Sequence, residues 1–397
     1  MVMHLDLNSC FASIEQQANP FLRGKPVAVV AYVSPGGCIL AASVEAKKLG
    51  VKTGMRVKEG KLLCPNLIVV GSDPNKYRSV HKQLRRLLED YTSEVTPKSI
   101  DEFSLKFTDD LDLIKIAKEI KARIRSEIGD WLTVSVGIAK NCFLAKTAAG
   151  LHKPDGLDVI NESNIREIFA KLKLIDLCGI KTNNAVRLNR AGIFTVLDFY
   201  QATPQTLQRA FCSIVGYYWY LRLHGGEPDE TALGRRSFGN SYALPKPLST
   251  PEELAPILAK LVEKTGFRMR RGGYSACGVH LSLLYRDGTF WHRGQKTPRL
   301  FDSRDIYKTA FKILESCPHR KPVHTLAVSC FNLEKTENCQ LEIFDSRKED
   351  LVRAMDRVNQ RWGSFVIAPA TMLGTSGLVP DRIAFGGVKE LEEVLLQ

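Results

Sequence analysis

Hydrophobic and polar positions alternate from Val2 to Leu7, the period of a half-buried strand, and the run places an acid, Asp6, at its end. Helical spacing follows from Asn8 to Asn19. The stretch PFLRGKPVAVVAYVSPGGCILAASVEAKKLGVKTG then predicts a strand, a Pro-Gly-Gly turn, a second strand and a short basic helix, a small inserted unit. From Tyr77 the apolar positions Val80, Leu84, Leu87, Leu88 and Tyr91 keep helical spacing; a hairpin-like region spans Val95 to Phe107; Leu111, Ile114, Ile120, Ile124 and Ile128 mark another helix; and Trp131 to Ile138 reads as a strand. With the insertion and the Tyr77 helix set aside, the order is strand, helix, two strands, helix, strand. That is the split βαβ, ferredoxin-like pattern, in which the first strand and the hairpin can be neighbours.

Residues 166 to 233 read as mainly helical, with two helices flanking a short Gly-containing turn in LCGIKTNNAVRLNRAGIFTVLDF. A strand, RRSFGNSYAL, comes next. It is followed by a helix announced by Thr250 as N-cap, Pro251 at the first position and Glu253 three residues after the cap. Strands at Ala276 to Leu284 and Thr289 to His292, a helix from Arg304 to Leu314 and a strand at Val323 to Phe331 complete a second α+β domain with an open sheet. The predicted fold class is therefore multi-domain α+β.

A chain of 397 residues has room for two to four domains. Its longest apolar stretches, Val27 to Val33 and Leu67 to Val70, are far short of the ~20 residues of a spanning helix, and no basic segment followed by an apolar one opens the sequence. A cytoplasmic protein without a membrane partner is expected. The ten cysteines are scattered, with no CxxC pair and no Cys/His cluster at zinc spacing, as in a reducing compartment and without structural zinc. The net charge of +13 points to a polyanionic partner, and its location sharpens the point: between Arg235 and Glu337 stand 18 Lys/Arg against 9 Asp/Glu.

An Asp beside Asn8 and Ser9 at a strand end is, taken alone, a turn former or a helix cap. The hairpin supplies it with partners. SIDEFSL carries two adjacent acids, Asp101 and Glu102, which repel one another unless cations join them. On the ferredoxin-like topology the pair can sit beside Asp6, and three carboxylates at one edge of a sheet suit hard, oxygen-seeking Mg²⁺. Two such ions can activate an attacking hydroxyl and neutralise charge on a transferred phosphoryl group, so phosphoryl transfer is the leading chemistry.

The segments DLNSCFASIEQ, SIDEFSL, VGIAKNCFLAKTAAGLHKPDG and RSFGNSYALP, in this order over most of the chain, resemble the Y family of translesion DNA polymerases, bacterial DinB/UmuC-like. The resemblance implies a right-handed polymerase. Its ferredoxin-like palm would be residues 1–20 and 76–165, its small fingers 21–75, its helical thumb 166–233 and its basic, DNA-gripping little finger 234–337, with a tail from 338 to 397. It also implies template-directed synthesis by two Mg²⁺ ions, adding deoxynucleoside triphosphates to the primer 3′-hydroxyl of a primer-template with low fidelity. By position, Asp6, Asp101 and Glu102 match the metal-binding acids, with the Leu7 carbonyl as an extra ligand, and Phe11 matches the steric gate against a 2′-hydroxyl. The amides of Cys10 and Phe11, in the first turn of a helix, suit a triphosphate. Lys153 matches a phosphate-binding lysine.

Departures from the pattern accompany these matches. In LAASVEAKKLG, Ala41, Val44 and Lys47 stand where relatives usually carry Thr, Tyr and Arg, closer to the UmuC-like branch, and a lysine lacks the bidentate fork of arginine. Cys38 and Leu40 align with residues that roof the nascent base pair, an alternative being plain core positions. In CGIKTNN, Lys181 replaces the second glycine of a helix-hairpin-helix turn. Arg235, Arg236, Lys296 and Arg299 stand where phosphate contacts are expected. Finally QLEIF, with Gln340, Leu341, Ile343 and Phe344, resembles the bacterial sliding-clamp peptide and precedes an amphipathic helix from Lys348 to Trp362. A monomer is expected. The rival readings are a clamp-tethered, catalytically silent DNA-binding scaffold of the same fold, which the complete acid triad disfavours, and a nucleotide cyclase, which has no use for the basic domain.

Overall fold

Alternation in β1 (Val2–Leu7) sends Met3, Leu5 and Leu7 into one hydrophobic cluster and Val2 into another, so this strand is buried on both faces. Such a strand belongs in the middle of a sheet. The computed structural model describes residues 1–108, 110–228, 234–336 and 346–383. They fall into two units, Met1–Ala232 with Arg382–Gln397, and Leu233–Asp381.

In the first unit the inserted segment folds as β2 (Val27–Val30), β3 (Ile39–Ala42) and β4 (Ile68–Gly71), in the order β3-β2-β4, around a small core that includes Val30, Ile39, Ala46 and Val57. β5 (Val95–Pro97), β6 (Glu102–Lys106), β7 (Val134–Ala139) and β8 (Leu157–Val159) join β1 in a five-stranded sheet of order β5-β6-β1-β7-β8. β1 runs antiparallel to both β6 and β7, the neighbour relation the split βαβ pattern requires. Helices Cys10–Ala18, Pro74–Glu89 and Leu113–Arg123 pack on the face of Met3 and Leu5. Helix Cys142–Ala149 lies on the other. It lies close because Gly137 has no side chain: a Cβ there would stand 2.0 Å from the Ala145 carbonyl oxygen. Five further helices between Ile165 and Leu223 pack around Phe199 and Trp219.

In the second unit β9 (Ser237–Leu248), β10 (Tyr274–Tyr285), β11 (Phe290–Leu300) and β12 (Val323–Lys335) form an antiparallel sheet of order β11-β10-β12-β9. Helices Pro251–Arg271 and Ser303–Glu315 pack on it, the first opened by the capping box of Thr250 and Glu253 that the sequence predicts. Beyond β12 the structure differs from the expected tail. Residues 346–381 belong to this unit, with a helix at Ser346–Trp362. Two buried cations hold them: Arg270 forms a bidentate pair with Asp356 (2.6 and 2.8 Å), and Lys260 donates to the carbonyls of Thr375 (2.6 Å), Ser376 (3.2 Å) and Leu378 (2.5 Å). Both read in the sequence as ordinary surface charges on a helix, so nothing there announces an anchored extension. The peptide Gln340 to Phe344 lies outside the described residues; on its flanks, Thr336 N donates to the Gly273 carbonyl (2.9 Å) and Glu349 pairs with Arg299 (2.5 Å).

Candidate active site

The register of β1 and β6 puts Asp6 directly opposite Glu102, and Leu7 N donates to the Asp101 carbonyl (2.9 Å). The central strand thus ends beside the turn that carries the two adjacent acids. Each of the paired acids meets a lysine, Asp6 with Lys153 (2.5 Å) and Glu102 with Lys146 (2.5 Å). Asp101 accepts a hydrogen bond from the Ser99 hydroxyl. Burial pushes its carboxyl pKa up, and the charges of Asp6 and Glu102 push the same way. Such a group gains from a cation, because an adjacent positive charge favours the ionised carboxylate that burial and the neighbouring acids disfavour. Lys146 is held protonated although burial opposes its charge, because the hydrogen bond and charge of Glu102 outweigh the loss of solvent.

Local order comes from Asn8. Its side chain donates to Ser135 Oγ (2.9 Å) and accepts from Thr133 Oγ1 (3.1 Å) and from Asp155 N (2.8 Å). One buried amide therefore ties the end of β1 to β7 and to the HKPDG loop, and so sets Lys153 against Asp6. Ser9 takes a left-handed conformation (φ 50°) and starts helix Cys10–Ala18 without a side-chain cap, so the first helical amides have no intrahelical acceptor. Phe11 is 7% exposed and stacks on Tyr77, with centroids 4.2 Å apart and planes 9° apart; the Tyr77 hydroxyl is fixed in turn by Glu15 (2.9 Å).

Two clefts meet at the acids. One, of about 600 Å³, is lined by Asp6, Leu7, Leu40, Lys47, Asp101 and Lys153, among others. Within it, partial desolvation and then the Lys153 charge lower the Lys47 pKa. The other, of about 990 Å³, brings together His4, Asp101, Glu102, Lys146, Trp219 and Arg222. Cys10 is buried and Cys38 is exposed on an isolated bridge to Arg56; neither lines either cleft. Lys181 is exposed and precedes helix Thr182–Arg190.

In the second unit, Arg236 and the β11 residue Lys296 are exposed, and the Arg235 guanidinium lies 3.8 Å over the Phe238 ring. Arg299, partly exposed, is paired with Glu349 and donates to Ser275 at 3.2 Å.

Two site residues escape a reading of motifs. Lys146 lies within a segment that carries the family resemblance but reads as a helix-surface charge. His4 reads as a strand residue, and only the period of two that puts it on the face of Asp6 could have flagged it. Burial first, then the Lys146 charge, lower its pKa to about 3, so its imidazole is neutral.

Known proteins share this plan. The impB/mucB/samB family matches residues 5–150, and that family's C-terminal domain matches residues 235–343. A DNA polymerase IV from Pelotomaculum thermopropionicum is 34% identical, covering 96% of this chain and 97% of its own. One from Bacillus velezensis is 30% identical, covering 94% and 93%. The Y-family DNA polymerase chimera Dbh-Dpo4(243-245)-Dbh is similar at a TM-score of 0.74 and 26% identity, covering 84% of this chain and 98% of that one. With its acids opposed at the end of a ferredoxin-like sheet, the chain belongs to the impB/mucB/samB family and is a DNA-directed DNA polymerase of the Y family.

Proposed function

We propose that this polymerase extends primers opposite damaged template bases, and that Asp6, Asp101 and Glu102, with the Leu7 carbonyl, hold the divalent cations of a two-metal nucleotidyl transfer. The observation that carries the reading is the pairing of Asp6 with Glu102 across two strands, with Asp101 adjacent and its carboxyl pushed up by burial and then by their charge. All-oxygen donors of this kind fit Mg²⁺. Bound there, Mg²⁺ supplies positive charge to the phosphoryl oxygens and favours ionisation of the primer hydroxyl.

The chain's own residues do the rest. Lys153 and Lys146 neutralise Asp6 and Glu102 in the resting protein. With cations on the acids, Lys153 would be free to meet the triphosphate, together with Lys47 and the first amides of helix Cys10–Ala18, where unpaired donors favour an anion. Phe11, wedged against Tyr77, closes the space a 2′-hydroxyl would need. The primer 3′-oxygen attacks the α-phosphorus, the bond to the bridging oxygen breaks, and diphosphate leaves.

In this assignment residues 1–20 and 76–165 are the palm, 21–75 the fingers, 166–233 the thumb and 234–337 the little finger. Leu40, which lines the cleft of Asp6, is assigned to the roof of the nascent pair; Cys38, outside both clefts, shares that assignment only by its place two residues earlier in the chain. Arg235, Arg236, Lys296 and Lys181 meet DNA phosphates, while Arg299 does so only by leaving Glu349. Gln340, Leu341, Ile343 and Phe344 dock a bacterial sliding clamp.

Primer extension with Mg²⁺ and all four deoxynucleotides, on intact and lesion-bearing templates, tests the reading. Asp101→Ala should lower extension by roughly a thousandfold or more and leave primer-template binding intact. Wild-type protein that binds primer-template yet never extends it would return the case to the scaffold reading.

A further inference from the structure

The second unit holds a basic cleft for which the reaction above has no use. It has a volume of about 480 Å³ and is lined from both helix Pro251–Arg271 and helix Ser346–Trp362, so the anchored extension supplies one of its walls. Four arginines line it, Arg270, Arg271, Arg353 and Arg357, against two acids, Asp350 and Asp356.

The charges do not cancel. Asp356 is taken by Arg270 through two contacts, at 2.6 and 2.8 Å. Glu349, 3.7 Å from Arg353, is engaged by Arg299 at 2.5 Å. Arg357 is exposed and has no hydrogen-bond or ion-pair partner among the described residues. With the Arg270–Asp356 pair set aside, three guanidiniums share the cleft with one carboxylate, Asp350. Arg353 and Arg357 stand four residues apart on one helix, a like-charge spacing that destabilises it and that an anion between them would relieve.

Aromatic rings complete the cleft. The Arg353 guanidinium lies 4.9 Å from the centroid of buried Phe301, and that of Arg270 lies at 5.9 Å, so both heads are held over an apolar floor. Phe267, half-buried, lines the same space. A guanidinium fork meets phosphate oxygens two at a time, and an aromatic face can take a base. The volume falls in the range of small-ligand pockets, roughly 300–1,000 Å³, which suits one compact ligand and not a run of strand.

We propose that this cleft is a nucleotide site made wholly by the second unit, taking the phosphates of a free nucleoside di- or triphosphate on Arg271, Arg353 and Arg357 and its base on Phe267.

The full-length protein is titrated calorimetrically with ADP in EDTA, where no divalent cation can support binding at the acids of the first unit. One equivalent should bind, and Arg353→Ala combined with Arg357→Ala should weaken it by about tenfold or more. Arg236→Ala combined with Lys296→Ala removes the same charge elsewhere on this unit and should change the affinity by less than about twofold. Saturating primer-template should not displace the nucleotide. Photolysis of the wild type with 8-azido-ADP should label peptides that carry Phe267 or residues 346–362. Absence of binding, binding that the first pair of substitutions leaves unchanged, or equal weakening by both pairs overturns the inference. Displacement by primer-template overturns it as well and reassigns the cleft to strand phosphates. Should the Arg353 and Arg357 variant fail to fold, the labelled peptides decide, and label confined to the first unit overturns the inference.

Discussion

At the scale of single residues, Phe11 and Asp101 each combine two demands that pull apart. Phe11 is core, stacked on Tyr77, as well as the assigned gate. Phe11→Ala should therefore raise ribonucleotide incorporation, roughly 10-fold or more in the ratio of kcat/KM values, and also lower stability by about 3–5 kcal/mol. Single-nucleotide incorporation kinetics with paired ribo- and deoxynucleotides, beside a denaturant melt, read both; an unchanged sugar preference would remove the gate assignment. Asp101 carries a charge that its surroundings disfavour. Asp101→Asn should accordingly melt at a higher temperature than wild type in EDTA, while losing the stabilisation that added Mg²⁺ gives the wild type. A variant that melts lower in EDTA would show that the acid is not under such tension. These two residues were legible because SIDEFSL and DLNSCFASIEQ are dense in chemistry. His4 and Lys146 were not, because a lone histidine in a strand and a lysine on a helix are what any core and any surface contain.

At the scale of elements, strong local signals carried through and short or context-dependent ones did not. Helix Pro251–Arg271 begins where its capping box says. β8 has three residues and β4 four, too few for a period to register, and each exists through the neighbour it pairs with, β7 and β2 respectively. β11 runs on to Leu300 through Pro298, beyond the predicted His292, and β9 runs through Pro245 and Pro247. Both are edge strands, where a residue without an N–H is tolerated. The least legible element is the anchoring of helix Ser346–Trp362, because it depends on an arginine side chain, Arg270, 3% exposed, that no sequence pattern marks as buried. Asp356→Ala strands that charge and should destabilise the second unit by about 3–5 kcal/mol, whereas replacing Arg270 with Met and Asp356 with Leu together should cost less. Chemical denaturation of the three proteins checks the order. Equal losses would mean that the pair is a surface ornament.

At the scale of the whole molecule, charge and connectivity matter most. The segment Arg235 to Glu337 holds twice as many basic as acidic residues, 18 against 9, but buried Arg270 and Lys260 and paired Arg299 are spent inside the fold. DNA affinity should therefore fall steeply with salt, and Lys296→Ala should reduce the slope of log affinity against log salt by about 1, while Arg299→Ala should change it little. Fluorescence anisotropy across a salt series distinguishes them, and equal changes in slope would count against the committed role of Arg299. No helix among the described residues is long and apolar enough to cross a membrane.

The chain around the proposed clamp peptide has a mechanical consequence. Thr336 is pinned to Gly273 on one side and Glu349 to Arg299 on the other, with nine residues, 337–345, between the described stretches. Nine residues span at most about 30 Å even fully drawn out. A ring that took hold between those two anchors would pull on the second unit through both of them, at Gly273 and at Arg299, and not through one end alone.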